Sequence, residues 1–150
     1  LIIGYGNPLR GDDGAGYAVA VRLAQVEYDN VRIVPAHQLT PELAYDISQT
    51  SHVVFIDAIA ATSSSHAVTV KHLDNISKSE TNQPQQDIAT HSSAPETLLF
   101  LCRQLYDRYP KATLITIPAF NFTLGEHFSG ATEKAMREAY NYMIELVNHA

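Results

Sequence analysis

The hydrophobic positions of the chain fall into two alternating patterns. Short runs rich in β-branched and aromatic residues are typical of buried strands, whereas apolar residues spaced three and four apart are typical of amphipathic helices. The runs predict strands at residues 1–3, 31–34, 53–56, 67–70 and 112–117. The spaced patterns predict helical faces within residues 16–26, 98–105 and 135–146, and a further helix beginning near residue 40.

The run from Val53 to Ile56 is apolar on both faces, which is typical of a central parallel strand, and it ends at Asp57. Residues 67–70 form a weaker run that we expect nearer an edge. Because strands alternate with helices, the strands should pair in parallel through right-handed crossovers. We therefore predict an α/β fold: a single three-layer α/β/α domain over residues 1–150, with a mostly parallel five-stranded sheet and helices on both faces.

The predicted strand order begins 2-1-3, so the chain winds in opposite directions from strands 1 and 3. In such sheets, ligands bind in the crevice at the carboxyl ends of those two strands. Thr40, followed by Pro41, and Ser93, followed three residues later by Glu96, are predicted helix N-caps. Polar residues 74–90 lack periodicity and predict a long mobile loop before the second cap.

Composition narrows the class of protein. The chain has 150 residues, 45% of them hydrophobic, which excludes a disordered chain. Ten Lys and Arg against sixteen Asp and Glu give a net charge of −6, which argues against a nucleic-acid partner. The lone Cys102 lies on a predicted apolar helix face, which indicates core packing and a reducing compartment. Since no apolar stretch is long enough to span a bilayer and no signal peptide is found, we expect a cytoplasmic protein without a membrane partner.

The loop after the first strand reads Gly4-Tyr5-Gly6-Asn7-Pro8-Leu9-Arg10-Gly11-Asp12-Asp13-Gly14. It is not a dinucleotide loop, because Leu9 stands where the third glycine belongs and two aspartates would repel a phosphate. No Walker lysine follows either. One interpretation makes Asp12 or Asp13 a cap for the following helix. The other makes one of them a ligand at the crevice.

Two further side chains are expected at the same edge of the sheet. Asp57 follows the central strand, where it either caps a neighbouring segment or serves a site. His91 precedes a helix N-terminus, where a neutral imidazole is favoured; His37, after the second strand, is a weaker candidate. Two carboxylates and one imidazole from three loops would form an open site for a divalent ion such as Ni, Zn, Co, Fe or Mn.

These residues resemble, in order, the motifs of the nickel-iron hydrogenase maturation endopeptidases. The matching segments are Gly4-x-Gly6-Asn7-x-Leu9-x-x-Asp12-Asp13-Gly14-x-Gly16, then His37-Gln38-Leu39-Thr40-Pro41-Glu42-Leu43, then Phe55-Ile56-Asp57-Ala58, then His91. The resemblance runs from the first strand to the last helix and so covers nearly the whole chain. Its opening glycine-rich and acidic motif is the most specific part.

The resemblance implies an α/β/α endopeptidase of the aspartyl type that removes a short C-terminal extension from a hydrogenase large-subunit precursor after nickel has been inserted. It implies that Asp13, Asp57 and His91 form the metal-binding and catalytic trio. It also implies that residues of the glycine turn and of the segment after the second strand contact the substrate. These residues are Gly4, Gly6, Asn7, His37, Gln38 and Thr40.

On this hypothesis the substrate carries the nickel, so the free protein, expected to be a monomer, holds no tight metal of its own. Whether the ion activates the attacking water, or a carboxylate does so as general base, stays open. Two other functions also stay open. One is a nickel-binding accessory protein without proteolytic activity, and the other is a flavodoxin-like nucleotide-binding or redox domain.

Overall fold

A computed structural model describes residues 1–63, 66–73 and 94–149 of the chain. The strands are β1 (Ile2–Tyr5), β2 (Ile33–Ala36), β3 (His52–Ala60), β4 (Thr69–His72) and β5 (Lys111–Ala119). The helices are α1 (Ala15–Leu23), α2 (Leu43–Ser48), α3 (Pro95–Tyr106) and α4 (Gly130–Asn148), and a single turn of 3-10 helix, Gly11–Gly14, precedes α1. None of the described helices is long and apolar enough to cross a membrane.

The five strands form one sheet in the order β2-β1-β3-β5-β4. All neighbouring pairs are parallel except β4 and β5, which are antiparallel. The predicted beginning 2-1-3, the mostly parallel pairing and the edge position of the fourth strand are therefore confirmed. The chain reverses its winding between β1 and β3, and the crevice at their carboxyl ends is the place where such sheets bind ligands.

Each face of the sheet is covered by two helices, which confirms the predicted three layers. On one face, α1 and α4 bury side chains such as Leu23 and Met143 against Val54 and Ile56 of β3. On the other, α2 and α3 pack against alternate residues of the same strand, among them Phe55. Two apolar cores of this kind supply most of the free energy that favours folding. Cys102 lies in the second core and is fully buried, as predicted.

Two strands run further than the sequence pattern predicts. β3 continues past Asp57 to Ala60, because it pairs with β5 along its whole length, from His52 opposite Lys111 to Ala60 opposite Ala119. β5 was expected to close at Pro118 but runs through it. The carbonyl of Ala119 accepts the N–H of Ala61 on the β3 side. The backbone of Pro118 therefore faces the opposite side, past Thr116, where the pairing with β4 stops. No ladder bond is therefore lost to the missing N–H.

The predicted helix caps are wrong where the structure describes them. α2 begins at Leu43 with Glu42 as N-cap, and the Thr40 carbonyl accepts the Leu43 N–H in the turn before the helix. α1 has Gly14 as N-cap and no side-chain cap, so neither aspartate of the loop serves that purpose. α3 begins at Pro95 after Ala94. The predicted cap Ser93 and the predicted loop 74–90 lie outside the described residues.

Helix α1 packs so closely on the sheet that its backbone contacts the backbones of β1 and β3. A Cβ atom added to Gly16 would lie 2.3 Å from the carbonyl oxygen of Ile56 and 2.7 Å from that of Tyr5. A Cβ atom on Gly4 would lie 2.2 Å from the carbonyl oxygen of Gly16. These glycines let the start of α1 rest directly on β1 and β3, which fixes the loop between β1 and α1 at the switch point of the sheet.

We predict that Gly16→Ala destabilises the protein by about 1–3 kcal/mol, because backbone atoms rather than flexible side chains occupy the space that the methyl group needs. Gly130→Ala is the matched control, since a Cβ atom there meets nothing within 4 Å. It should leave stability unchanged or raise it by about 0.4–1 kcal/mol. Urea denaturation of the two variants measures the difference, and equal midpoints would contradict this account of the helix contact.

Candidate active site

Asp57 lies within β3, three residues before the strand ends, and not at its end as the sequence indicated. In the sheet it lies beside Thr116 of β5, and its predecessor Ile56 lies beside Gly4 of β1. Its side chain shares a face with Phe55, on the side of α2 and α3, because residues two apart in a strand point the same way. Since β1 ends at Tyr5, the Asp57 carboxylate lies at the carboxyl edge of the crevice.

The Asp57 carboxylate is paired with Tyr5, whose hydroxyl donates to Oδ2 at 3.0 Å. Burial raises the pKa of Asp57 to about 6, and the nearby charge of Asp13 adds to the rise; hydrogen bonds from Tyr5 and from the Ala58 backbone oppose it. Burial, with the negative charges of Asp57 and Glu96, holds the pKa of the Tyr5 hydroxyl well above its usual value. Tyr5 therefore remains a hydrogen-bond donor at any physiological pH.

Asp13 is half-buried, and its Oδ2 accepts the backbone N–H of Asn7 at 3.0 Å. Asp13 is thus held next to the glycine turn that follows β1, and Asp57 is bonded to Tyr5 at the end of β1, so both predicted carboxylates lie near the carboxyl end of that strand. The third predicted ligand, His91, lies outside the described residues. Within the part of the chain that is described, no three His, Cys, Asp or Glu side chains form a group that could hold a metal ion. Two carboxylates alone are fewer than the ligands that a divalent ion takes from a protein site.

Asp12, the neighbour of Asp13, points the opposite way and is fully buried. Its carboxylate accepts backbone N–H groups from Phe120, Asn121 and Ser129 and hydroxyl groups from Ser129 and Thr132. Burial alone would raise the pKa of Asp12, but these hydrogen bonds outweigh burial and lower it. Asp12 is therefore a structural anchor that ties the loop carrying Asp13 to the start of α4.

Backbone hydrogen bonds reinforce that anchor. Gly11 donates to Gly125, Gly125 donates to Leu9, and the Asp12 N–H bonds to the carbonyl of Asn121. The loop between β1 and α1 is thus joined along its length to the loop between β5 and α4. These hydrogen bonds hold the loop that carries Asp13 in one position, which favours a defined geometry for its side chain.

The residues predicted to contact substrate are placed as follows. Gly6 has a φ of 143° and its N–H bonds to Ala36 of β2, so the turn that it makes holds the ends of β1 and β2 together. Asn7 is exposed, while His37 and Gln38, directly after β2, are exposed at the same edge, with the His37 ring centroid 5.2 Å from that of Tyr17. Thr40 is half-buried.

Gly4 differs in its position from the other five residues that were predicted to contact substrate. It is buried beneath α1, where its missing side chain serves helix packing. The accessible members of the predicted set, like Asp13 and Asp57, therefore belong to the carboxyl ends of β1, β2 and β3. A separate cleft of about 270 Å³ lies at the opposite edge, where the segments before β3 and β5 meet. It is lined by Thr50, Ser51, Asp107, Arg108, Tyr109 and Pro110.

Comparison with solved structures gives consistent matches over almost the whole chain. The NiFe hydrogenase maturation protease HybD from Thermococcus kodakarensis is 22% identical with a TM-score of 0.70, and the match covers 97% of each chain. The chain has the fold of the hydrogenase maturation proteases. The hydrogenase maturating endopeptidase HybD from E. coli is 18% identical with a TM-score of 0.71, over 99% of this chain and 91% of that one.

A third structure extends the comparison to another archaeon. The hydrogenase 2 maturation peptidase from a Thaumarchaeota archaeon is 20% identical with a TM-score of 0.67, over 97% of this chain and 95% of that chain. No protein-family model and no curated protein matches the chain. At these identities the comparisons establish the fold, and the α/β/α architecture that the sequence resemblance implied is confirmed.

Sequence reasoning misses the roles of two residues in this region. The local pattern offers Asp12 as a helix cap or a ligand, but its partners lie 108–120 residues away, where no local pattern could indicate them. Tyr5 is the unspecified residue between two motif glycines, so the motif gives it no role. The sequence did contain a signal for Tyr5: it ends a buried strand, and Asp57 was predicted on the neighbouring strand. A buried hydroxyl needs a hydrogen-bond partner, so the two side chains could have been paired.

We predict that Asp12→Asn destabilises the protein by about 3 kcal/mol or more at pH 7, because in either orientation the amide nitrogen faces a backbone N–H. The lowered pKa means that the wild-type carboxylate stabilises the fold above its unfolded pKa of about 3.9, and that this contribution is lost as the pH falls through the folded pKa. The exposed Asp29→Asn is the control, with a change within about 0.5 kcal/mol. Chemical denaturation at pH 7 and pH 3 tests both statements, and a variant as stable as the control at pH 7 would refute the anchor.

We predict the opposite effect for Asp57→Asn. The raised pKa means that the folded state binds a proton more tightly than the unfolded chain, so wild-type stability falls as the pH rises from about 4 to about 6. The neutral amide of the variant avoids burying a charge, so the variant should be more stable by about 2 kcal/mol at pH 7.5 and nearly equal to wild type at pH 3.5. Thermal unfolding at the two pH values measures this. A gain of the same size at both would show that burial of the charge is not its source.

Proposed function

We propose that this protein is an endopeptidase that removes the C-terminal extension of a nickel-loaded hydrogenase large-subunit precursor. It acts as a cytoplasmic monomer, and Asp13, Asp57 and His91 bind the nickel that the substrate carries. The proposal requires no resident metal, because the ion arrives with the precursor. In this scheme the crevice between β1 and β3 is the place where the substrate docks.

The observation that carries the proposal is the meeting of Asp13 and Asp57 at the switch point of this fold. Asp13 lies in the loop after β1 and Asp57 lies within β3, 44 residues apart in the sequence (57 − 13). Both lie beside the carboxyl end of β1, where Asp13 accepts the Asn7 N–H and Asp57 accepts the Tyr5 hydroxyl. Two like charges held close together disfavour each other unless a cation or a proton lies between them. Solved proteins that share the fold are named maturation proteases, which supports a peptidase function for this chain.

The proposed reaction is peptide hydrolysis. A water oxygen adds to the scissile carbonyl carbon, the C–N bond breaks, and the departing nitrogen takes a proton. Binding of the nickel by the two aspartates and His91 aligns the scissile bond with the site, and alignment of this kind lowers the barrier by several kcal/mol. The attacking water is activated either by the ion or by a carboxylate acting as general base.

The contacts of the glycine turn argue against a nucleotide-binding domain. A phosphate at such a turn needs free backbone N–H groups, but the Asn7 N–H is taken by the Asp13 carboxylate and the Gly6 N–H by Ala36. Asp13 and Asp57 add negative charge at the place where a phosphate would lie. A nickel-binding accessory protein without proteolytic activity uses the same carboxylates, so it must be distinguished by experiment.

The test mixes the protein with a nickel-loaded large-subunit precursor and follows release of the C-terminal peptide by mass spectrometry. Wild type should shorten the precursor, while Asp13→Ala, Asp57→Ala and His91→Ala should slow cleavage by about 100-fold or more, since each misplaces the scissile bond. Arg137→Ala, which changes a residue of α4, is the control and should cut at the wild-type rate.

Two results would contradict the proposal in different ways. Binding of the precursor without cleavage would leave the accessory-protein function. Equal cleavage of a nickel-free precursor would show that the substrate-borne ion is not what the site recognises.

A further inference from the structure

Tyr5 is the last residue of β1 and is 8% exposed. Its ring is part of the core under α2 and α3, on the same face of the sheet as Ile3 and Phe55. The hydroxyl at the tip of the ring leaves that apolar environment and meets the Asp57 carboxylate at 3.0 Å. Phenylalanine would fill the same place in the core, so packing by itself gives no reason for the hydroxyl.

The hydroxyl is a donor directed at one particular oxygen. A carboxylate on a single Cα–Cβ bond rotates freely unless hydrogen bonds hold it, and Tyr5 holds Oδ2 of Asp57. The register of the sheet brings the two residues together, since Gly4 lies beside Ile56 and the next residues along the two strands are Tyr5 and Asp57. The orientation of the carboxylate is therefore set by the Tyr5 hydroxyl together with the backbone N–H of Ala58, and not by solvent.

We infer that Tyr5 is a positioning residue of the candidate active site, whose hydroxyl fixes Oδ2 of Asp57 so that Oδ1 is the oxygen that meets the substrate-borne nickel. The inference rests on the proposed function and adds a residue that neither the predicted trio nor the predicted substrate-contacting residues include. Groups that orient metal-binding side chains commonly contribute 10–100-fold to metal affinity or activity.

The first experiment compares the steady-state cleavage of nickel-loaded precursor by wild type and Tyr5→Phe. Because Tyr5 acts on the docking of the ion, KM should rise about tenfold with a smaller change in kcat. Tyr28→Phe is the matched control. Tyr28 also carries a buried hydroxyl. Unlike that of Tyr5, it has no hydrogen-bond partner among the residues that the structure describes. The control should retain wild-type KM and kcat.

The second experiment does not depend on catalysis. Paramagnetic Ni²⁺ alone is titrated into the labelled protein, and broadening of the Asp13 and Asp57 amide resonances is followed by NMR. Tyr5→Phe should need about tenfold more Ni²⁺ for half-maximal broadening. In an Asp57→Asn background the same substitution should add nothing, because a residue that acts through Asp57 has no effect once the carboxylate is gone.

The outcomes separate this inference from the proposed function. If wild type cleaves the precursor and Tyr5→Phe has wild-type KM and Ni²⁺ response, the role of Tyr5 is overturned while the protease function stands. If wild type fails to cleave but the Ni²⁺ titration shows the Tyr5 effect and its loss in the Asp57→Asn background, the protease function fails and the role of Tyr5 is retained. An equal effect of Tyr5→Phe in both backgrounds, or no Ni²⁺ broadening at Asp57 in wild type, also overturns the inference.

Discussion

The side chain of Asp12 is a buried anion surrounded by hydrogen-bond donors. Three backbone N–H groups and two hydroxyls converge on it from residues 120–132, and it is fully excluded from solvent. A buried charge without such donors would be severely destabilising. With them it joins the first loop of the chain to the last helix. The position of Asp13 depends on this joint between the two loops.

Asp57 of the candidate site and the anchor Asp12 lie in opposite electrostatic environments. Asp12 accepts five hydrogen bonds and its pKa is lowered, whereas Asp57 is desolvated, accepts fewer hydrogen bonds and has a pKa raised to about 6. Functional groups are often held in environments that do not suit their charged form, at some expense of stability. The contrast thus separates a carboxylate that maintains the fold, Asp12, from one that the fold leaves in an environment unfavourable to its charge, Asp57.

Much of the architecture was predictable from the sequence because its signals are local. A continuous apolar run such as Val53–Ile56 indicates a central strand, and alternation with helices dictates parallel pairing. Strand ends and helix caps were less predictable, since the extension of β3 depends on its partner β5 and α2 begins without a side-chain cap. Asp13 and Asp57 were predicted as neighbours from topology alone. The roles of Asp12 and Tyr5 depend on contacts between segments far apart in the chain.

The distance along the chain between Asp12 and its donors also constrains biosynthesis. During synthesis the glycine turn and Asp12 emerge from the ribosome before the groups that immobilise them, which are made more than a hundred residues later. Contacts of such long range form late, after the entropy of closing the intervening chain has been overcome. A nascent or truncated polypeptide that lacks α4 carries Asp12 and Asp13 without the contacts that hold their loop, so the position of Asp13 is defined only after α4 has been made.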